Sequence, residues 1–463
     1  MFTEFLSSYT CKTPATELHS SMEEYRKNMT VEVKEVNFDE LQAWSFDVNG
    51  DLVHESGKFF RICAGNAVDS LSGTERAQPV IDQPEQGILG IISRCKDHKI
   101  EILLQAKIEP GNLDSVQYSP TVQATKSNYT GAHKGRPVPY LGDFLPQADH
   151  VVSRGLQSEH GYKFYRKAND NVHVHDNRAK AIDKHFVWLS LGDIRYLLSR
   201  EHCVNMDTRS VLATIDFIGK PLGYGEISSL LGELGTIERE LLFSSVSDEG
   251  AVYSLNEIRE WVARSKGSAT IKKQILPLPT LLEKGWDLTK AKLSSDNNRH
   301  FELVGVRASI ASRETSSWYQ PIVRDRVPKV YAFLVKKINN ILHVLVQAVE
   351  EDFSWSGPEV GPTIHSVPDS TFSLGESLKP FGLKEQDAKI IYDKYQSEEG
   401  GRFMEQKNRY IVAIVGTHAP TTVPEKFKWL TLYQIKQLTK HECHVNIEAR
   451  TLTAIASYYK GKE

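Results

Sequence analysis

Two short apolar stretches set the first pattern in the chain. Residues 87–92 read Gly-Ile-Leu-Gly-Ile-Ile, and residues 99–105 alternate as Lys-Ile-Glu-Ile-Leu-Leu-Gln. Runs of this kind, broken by Lys96-Asp97-His98, predict a β-hairpin. The pattern returns at residues 330–336 and 341–349, with Asn339-Asn340 at the turn, and residues 171–175 and 410–415 predict further strands. Around two tryptophans, Trp188 and Trp429, the period lengthens. Ser190-x-x-Asp193 and Thr431-x-x-Gln434 fit capping boxes, and Ile194, Leu197 and Leu198 form one buried helical face, so both tryptophan segments are expected to be helical. Hairpins with one or two helices per unit predict an α+β fold, not an alternating parallel sheet.

The recurrence is an internal repeat. Residues 188–213 and 429–454 align without gaps at an offset of 429 − 188 = 241, keeping Trp, Leu, Ile, Glu, Val, Asn, Arg and Ala in register. Upstream, Trp44, Gln78-Pro79, Gln105-Ala106 and Pro120-Thr121 recur as Trp286, Gln320-Pro321, Gln347-Ala348 and Pro362-Thr363, at 286 − 44 = 242. Gln157-Ser-Glu-His-Gly161 matches Gln396-Ser-Glu-Glu-Gly400. The expected division is an N-terminal segment (1–43), a first repeat (44–214), a helical linker (215–285) and a second repeat (286–463). In the linker, Ile227, Leu230, Leu231, Leu234, Ile237, Leu241 and Leu242 are spaced for one helix face.

Composition adds mainly exclusions. The length of 463 residues gives a prior of about three domains, which the repeat replaces with two units. Lys and Arg number 56 against 59 Asp and Glu, a net charge of −3 that argues against a nucleic-acid partner. Five cysteines, Cys11, Cys63, Cys95, Cys203 and Cys443, form no CxxC pair, which argues against a disulfide framework or a cysteine zinc module. No stretch reaches the roughly 18 apolar residues of a membrane span, and residues 1–30 lack a signal pattern. The expectation is a cytoplasmic protein without a membrane partner.

Several residues offer chemistry. His173-x-His175 would put two imidazoles on one strand face, as a metal site needs, but no third ligand has a distinctive spacing. A hydrogen-bonded strand face is the better reading, and no metal is assigned. Ser119-Pro-Thr-Val-Gln-Ala-Thr-Lys-Ser-Asn-Tyr129 is the densest polar run, and its counterpart lacks the Lys, Asn and Tyr. That loss suggests one working and one decayed pocket. Asn205 and Arg209 recur as Asn446 and Arg450, so they are scaffold or a feature of both pockets. A guanidinium suits a diphosphate, and a structural pairing of Arg209 with Glu159 or Glu398 is the alternative. Trp188 and Trp429 read as core, Trp44 or Trp286 as a possible base-stacking ring, and His54 as a possible acid or base. No P-loop, GxGxxG or GxSxG is present.

Taken together, residues 116–129, Gln157-Ser-Glu-His-Gly161, Trp188-Leu-Ser-Leu-Gly192 and Val204-Asn-Met-Asp-Thr-Arg209 resemble the NDP-hexose 2,3-dehydratases of deoxysugar biosynthesis. Residues 359–363, 397–403 and 445–450 resemble that family's second repeat. The resemblance implies tandem Nudix-like domains, a homodimer, one working pocket and one vestigial pocket. It implies a dTDP-4-keto-6-deoxy-hexose substrate, no cofactor, and a product passed to a 3-ketoreductase. Ala77 stands where the family commonly has Trp before Gln-Pro, and residues 108–150 and 351–372 lack the Gly-rich, multi-Glu pattern of a Nudix hydrolase.

The implied reaction removes the C3 proton beside the C4 ketone and expels the C2 hydroxyl. Its expected catalytic candidates are His54, Tyr129, Asp207 and Lys126. Ser119, Thr121, Gln123, Asn128, Arg166, Lys167, Asn205 and Arg209 are the expected substrate-binding set. A metal-dependent nucleotide-sugar pyrophosphohydrolase and a non-catalytic nucleotide-sugar binding protein are the alternatives.

Overall fold

The computed structural model describes residues 2–461, apart from 12, 28, 115, 130–135, 228–231, 233, 297–300 and 314. Two seven-stranded sheets of the same topology dominate it. In the first, strand Ile88–Lys96 pairs antiparallel with Lys99–Ile108 and Val122–Ala124, and parallel with Ala168–His175. In the second, Lys329–Ile338 makes the same pairings with Ile341–Val349, Ile364–Pro368 and Lys407–Val415. Both expected hairpins form. Asp97, His98, Asn339 and Asn340 all have positive φ, as a two-residue turn matched to strand twist requires.

The tryptophan segments divide differently from the expectation of a helix. Trp188 and Trp429 lie in strands, Phe186–Ser190 and Phe427–Leu430, and the helices Leu191–Leu198 and Leu432–Leu438 begin just after them. The capping boxes mark that strand-to-helix junction: Ser190 Oγ accepts from Asp193 N, and Thr431 Oγ1 from Gln434 N. The residues beyond are Asn205 and Asn446, whose side chains N-cap the helices Met206–Thr214 and Ile447–Ser457. These two helices pack against each other, each also on its own sheet.

The expected linker, residues 215–285, holds elements with counterparts in residues 1–43. Helix Thr236–Val246 lies on strand Ile341–Val349, as helix Phe2–Thr10 lies on strand Lys99–Ile108. Ser244 Oγ donates to Leu342 O and accepts from Leu432 N, and Ser8 does the same with Ile100 O and Leu191 N. The single linker helix face divides between Tyr224–Ile227 and Thr236–Val246, with Gly235 as the N-cap of the second. Leu230 and Leu231 lie outside the described residues.

The two units exchange parts. Strand Val31–Val36 pairs with Phe301–Ile310 of the second unit, while strand Ile271–Leu276 pairs with Arg61–Asp69 of the first. Trp44 Nε1 donates to Tyr319 O, and Trp286 Nε1 donates to Ala77 O. The rings of the counterparts Phe164 and Phe403 meet 5.6 Å apart, so a pseudo-two-fold axis passes near them. Gly111 allows a close approach of the two units: a Cβ there would lie 1.8 Å from Phe403 O.

Two arginines lock the exchange. Arg209 Nη1 donates to Val204 O, and its Nη2 crosses to Ser397 O of the other unit at 2.5 Å. Arg450 Nη1 donates to Val445 O, and its Nη2 crosses to Ser158 O at 2.5 Å. Arg209 is 0% and Arg450 1% exposed. Replacing either by Met leaves two buried carbonyls without donors. Each variant should lose on the order of 3 kcal/mol in equilibrium urea unfolding. Loss of less than ~1 kcal/mol would show that the clamp is incidental.

Candidate active site

A cavity of about 550 Å³ opens between the units. The first seven-stranded sheet supplies its polar floor. Lys107 is in strand Lys99–Ile108, with Glu109 next after its end. Glu159 follows strand Val151–Ser158, Lys167 precedes strand Ala168–His175, and Asp207 sits in the first turn of helix Met206–Thr214. The fourth carboxylate, Glu399, comes from the second unit. Gly111 N donates to Gly400 O at 2.7 Å and draws that segment against the first unit.

The groups are held by short polar contacts. Gln123 Nε2 donates to Glu109 Oε1 (3.1 Å), Asn169 Nδ2 to Glu159 Oε1 (2.6 Å) and Gly401 N to Glu399 Oε1 (2.8 Å). Lys107 Nζ donates to Gln123 O at 3.2 Å, and Lys167 Nζ to Glu85 O. Glu109 Oε2 and Glu159 Oε2 are buried without a hydrogen-bond partner among the described residues. Asp207 is 3% exposed.

Burial beside like charges favours the protonated form of a carboxyl. Burial, then the charges of Glu159, Glu399 and Glu109, holds Asp207 well above the usual carboxylate range. Burial and Glu109 push Glu399 up to about 7, and burial also raises Glu159. Burial lowers Lys167 to about 8 against the pull of Glu159.

Aromatic rings form another part of the wall. Trp44, His54, Phe59 and Phe60 come from the first unit, and Trp318 and Tyr319 from the second. His54 meets Trp44 and Phe59 edge-on at 5.4 and 4.4 Å, and its Nδ1 lies 2.9 Å from Ser56 Oγ. Arginines stand between rings and carboxylates. Arg402 lies 4.3 Å over Phe60, while Arg313 is 6.0 Å from Trp318 and 3.7 Å from Glu109 Oε1.

Of the residues expected from sequence, His54, Gln123, Asn128, Lys167 and Asp207 line this cavity. Ser119, Thr121, Lys126, Arg166, Asn205 and Arg209 are not among the described lining residues. Thr121 is buried in the sheet, donating to Leu103 O and accepting from Ile92 N. Asn205 caps its helix through Oδ1 and donates from Nδ2 to Ser119 Oγ and Gln123 Oε1. Arg209 is occupied by the carbonyls of its clamp, and Arg166 and Lys126 are exposed. Tyr129 ends the short helix Lys126–Tyr129, and its side chain lies outside the described residues. His173 and His175 share one hydroxyl, Ser93 Oγ, at 2.7 and 3.0 Å, a hydrogen-bonded strand face.

Glu109, Lys107, Arg313, Trp318, Glu399 and Arg402 were not singled out for this site by sequence. Their one legible signal is the mismatch of His160 with Glu399 inside an otherwise matching repeat. A difference between copies marks a position where the two pockets diverge.

Buried carboxyls with raised pKa facing a cavity are the equipment of a general acid–base enzyme. The family model for NDP-hexose 2,3-dehydratase matches residues 15–215 and again 255–456. The chain is 35% identical over 453 residues to a dTDP-4-dehydro-6-deoxy-α-D-glucopyranose 2,3-dehydratase of Saccharopolyspora spinosa, covering 95% of this chain and 91% of that protein. It is 36% identical over 434 residues to a protein of the same name from Amycolatopsis orientalis, covering 91% and 86%. A third, from Streptomyces violaceoruber, is 35% identical over 424 residues, covering 90% of each. An Ap4A hydrolase of C. elegans aligns with 25% of this chain and 87% of its own, at 12% identity and a TM-score of 0.18, a likeness that assigns neither fold nor activity. The chain belongs to the NDP-hexose 2,3-dehydratase family, and it is a sugar-nucleotide 2,3-dehydratase.

The raised Glu399 gives a signed test. Its folded pKa, about 7, exceeds the ordinary value of 4.5. The native state therefore holds more protons between these values, and wild-type stability falls as pH rises through that window. Glu399→Gln should gain stability relative to wild type between pH 5 and pH 8, read by thermal unfolding. An unchanged difference would show that Glu399 titrates normally.

Proposed function

We propose that this chain eliminates water across C2 and C3 of dTDP-4-keto-6-deoxy-glucose, giving a 3,4-diketo-2,6-dideoxy sugar nucleotide. The observation that carries this is the pairing of two unlike carboxyls on one cavity. Burial and like charges hold Asp207 well above the usual carboxylate range, and burial raises Glu399 to about 7. Environments that push two carboxyls apart in pKa assign acid and base roles.

In this reading Glu399 takes the C3 proton, which the C4 ketone acidifies. The C3–H electrons form an enolate, and the C2–O bond breaks as Asp207 gives its proton to the departing hydroxyl, which leaves as water. The resulting enol gains a proton at C2 and relaxes to the diketone. The cationic Lys167 and Lys107 would face the C4 oxyanion. The planar forks of Arg313 and Arg402 suit the diphosphate, and the rings around His54 suit the base. Ser127 and Asn128 line the cavity, which supports the loop holding Lys126 and Tyr129 as part of its rim.

The finer architecture fits the same reading. Each unit has a mixed sheet with one parallel pair, which supports a Nudix-like assignment. The family implies a homodimer, a cytoplasmic setting and a 3-ketoreductase as the next enzyme, since an unprotected diketone needs prompt reduction. The relatives' names support the dTDP-4-keto sugar as substrate.

The test is incubation with dTDP-4-keto-6-deoxy-glucose and mass spectrometry of the products. Asp207→Asn and Glu399→Gln should each lose about 10²-fold or more in kcat while dTDP affinity stays within about threefold. Wild-type kcat should fall as pH drops below about 7, as Glu399 becomes protonated. Wild-type rates in both variants would move the chemistry elsewhere, and unchanged substrate with folded wild-type protein would end the reading.

A further inference from the structure

The pseudo-two-fold axis carries the cavity residues onto a second cluster. Adding 242 takes Glu109 to Glu351 and Gln123 to His365, and adding 241 takes Asp207 to Glu448. Leu89, which lines the cavity, becomes Tyr331, and Asn171, opposite Leu89 in the parallel pair, becomes Tyr410, opposite Tyr331, at 410 − 171 = 239. Both tyrosines are buried, their rings 5.6 Å apart, and Tyr331 meets the ring of His365 at 5.3 Å. These bulky side chains occupy positions that are smaller in the first unit.

What remains at the centre is a compact set of donor atoms. One ligand atom each from Glu351, His365 and Glu448 lies within 4.8 Å of the others. His365 Nε2 is 3.7 Å from Glu351 Oε1 and 3.8 Å from Glu448 Oε2, too far for hydrogen bonds. A cation with arms of about 2.1 Å in tetrahedral array separates its ligands by roughly 3.4 Å, close to this spacing. Glu448 is 1% exposed, and its Oε2 has no hydrogen-bond partner among the described residues; the same holds for His365 Nε2.

The outer atoms are already committed. Glu448 Oε1 lies 3.0 Å from His160 Nδ1, and Glu351 Oε2 accepts from Gly161 N at 2.9 Å. Each carboxylate is thus oriented by the first unit and keeps its other oxygen for the centre. Support of this kind fixes metal ligands in place.

We propose that Glu351, His365 and Glu448 bind one small divalent cation, with zinc the best match to one imidazole and two carboxylates. The site is structural. Its three residues belong to the second unit and are not among the described residues lining the cavity, and they tie the sheet, the helix Ile447–Ser457 and the loop at Glu351 together.

The test uses full-length, chelator-treated protein titrated with zinc chloride alone in a calorimeter. Wild type should bind one equivalent saturably at micromolar or lower concentration, and its Tm should rise with zinc. His365→Gln copies the residue of the first unit. It should fold like metal-free wild type and bind zinc at least tenfold more weakly. Glu351→Gln keeps an oxygen for Gly161 N and provides a second probe if His365→Gln does not fold. Absence of saturable binding below millimolar zinc, or wild-type affinity in the folded variants, would overturn the proposal and leave an ion-pair network held by protons.

Discussion

Everything in this molecule depends on two buried guanidiniums that each serve both units. Arg209 and Arg450 join the turn before their own helix to a backbone carbonyl of the opposite unit. A buried charge is costly unless acceptors meet it, and here the terminal nitrogens of both guanidiniums meet backbone carbonyls. Backbone carbonyls are fixed by their strands, so satisfying these donors fixes where one unit lies on the other. The exchanged strands and the crossed tryptophan bonds follow the same symmetry.

This arrangement explains why the cavity is composite. The segment after Ser397 must pass close to Gly111 for Arg209 to reach Ser397 O. In doing so it delivers Glu399, Gly401 and Arg402 to the first unit's cavity. The reverse crossing delivers His160 to Glu398 and Glu448, where ionic partners raise it to about 10 despite burial. The second unit, with Tyr331 and Tyr410 where the first has Leu89 and Asn171, thus supplies a wall, a charge and a carboxyl to the first unit's cavity. The chain's near-neutral balance is consistent with this, because the cationic groups are concentrated locally beside carboxyls.

Much of the scaffold was legible in the sequence. The hairpins, capping boxes and repeat all follow from short-range patterns, which hydrogen bonding near in sequence enforces. The tryptophan segments misled because a strand ending in a capping residue has the same apolar content as a helix start. Among site residues, features common to both copies were largely scaffold: Thr121 and Thr363 make the same sheet bonds, and Asn205 and Asn446 the same caps. The cavity combines acids present in both copies, as at Glu109 and Glu351 or Asp207 and Glu448, with positions where the copies differ, as at Gln123 and His365 or Glu399 and His160. Glu399 could not be assigned to the first cavity from sequence, because crossing between units is a property of the packed pair.

The exchange of strands also sets a timetable for synthesis. Strand Val31–Val36 waits for Phe301–Ile310, which begins 301 − 31 = 270 residues later. At translation rates of 5–20 residues per second that delay is roughly 15–50 s. During it, the emerging chain carries an unpaired strand whose partner does not yet exist, and the first unit lacks Ile271–Leu276 for nearly as long. Neither half can finish alone on the ribosome, so the duplicated gene makes one late-closing folding unit rather than two early ones.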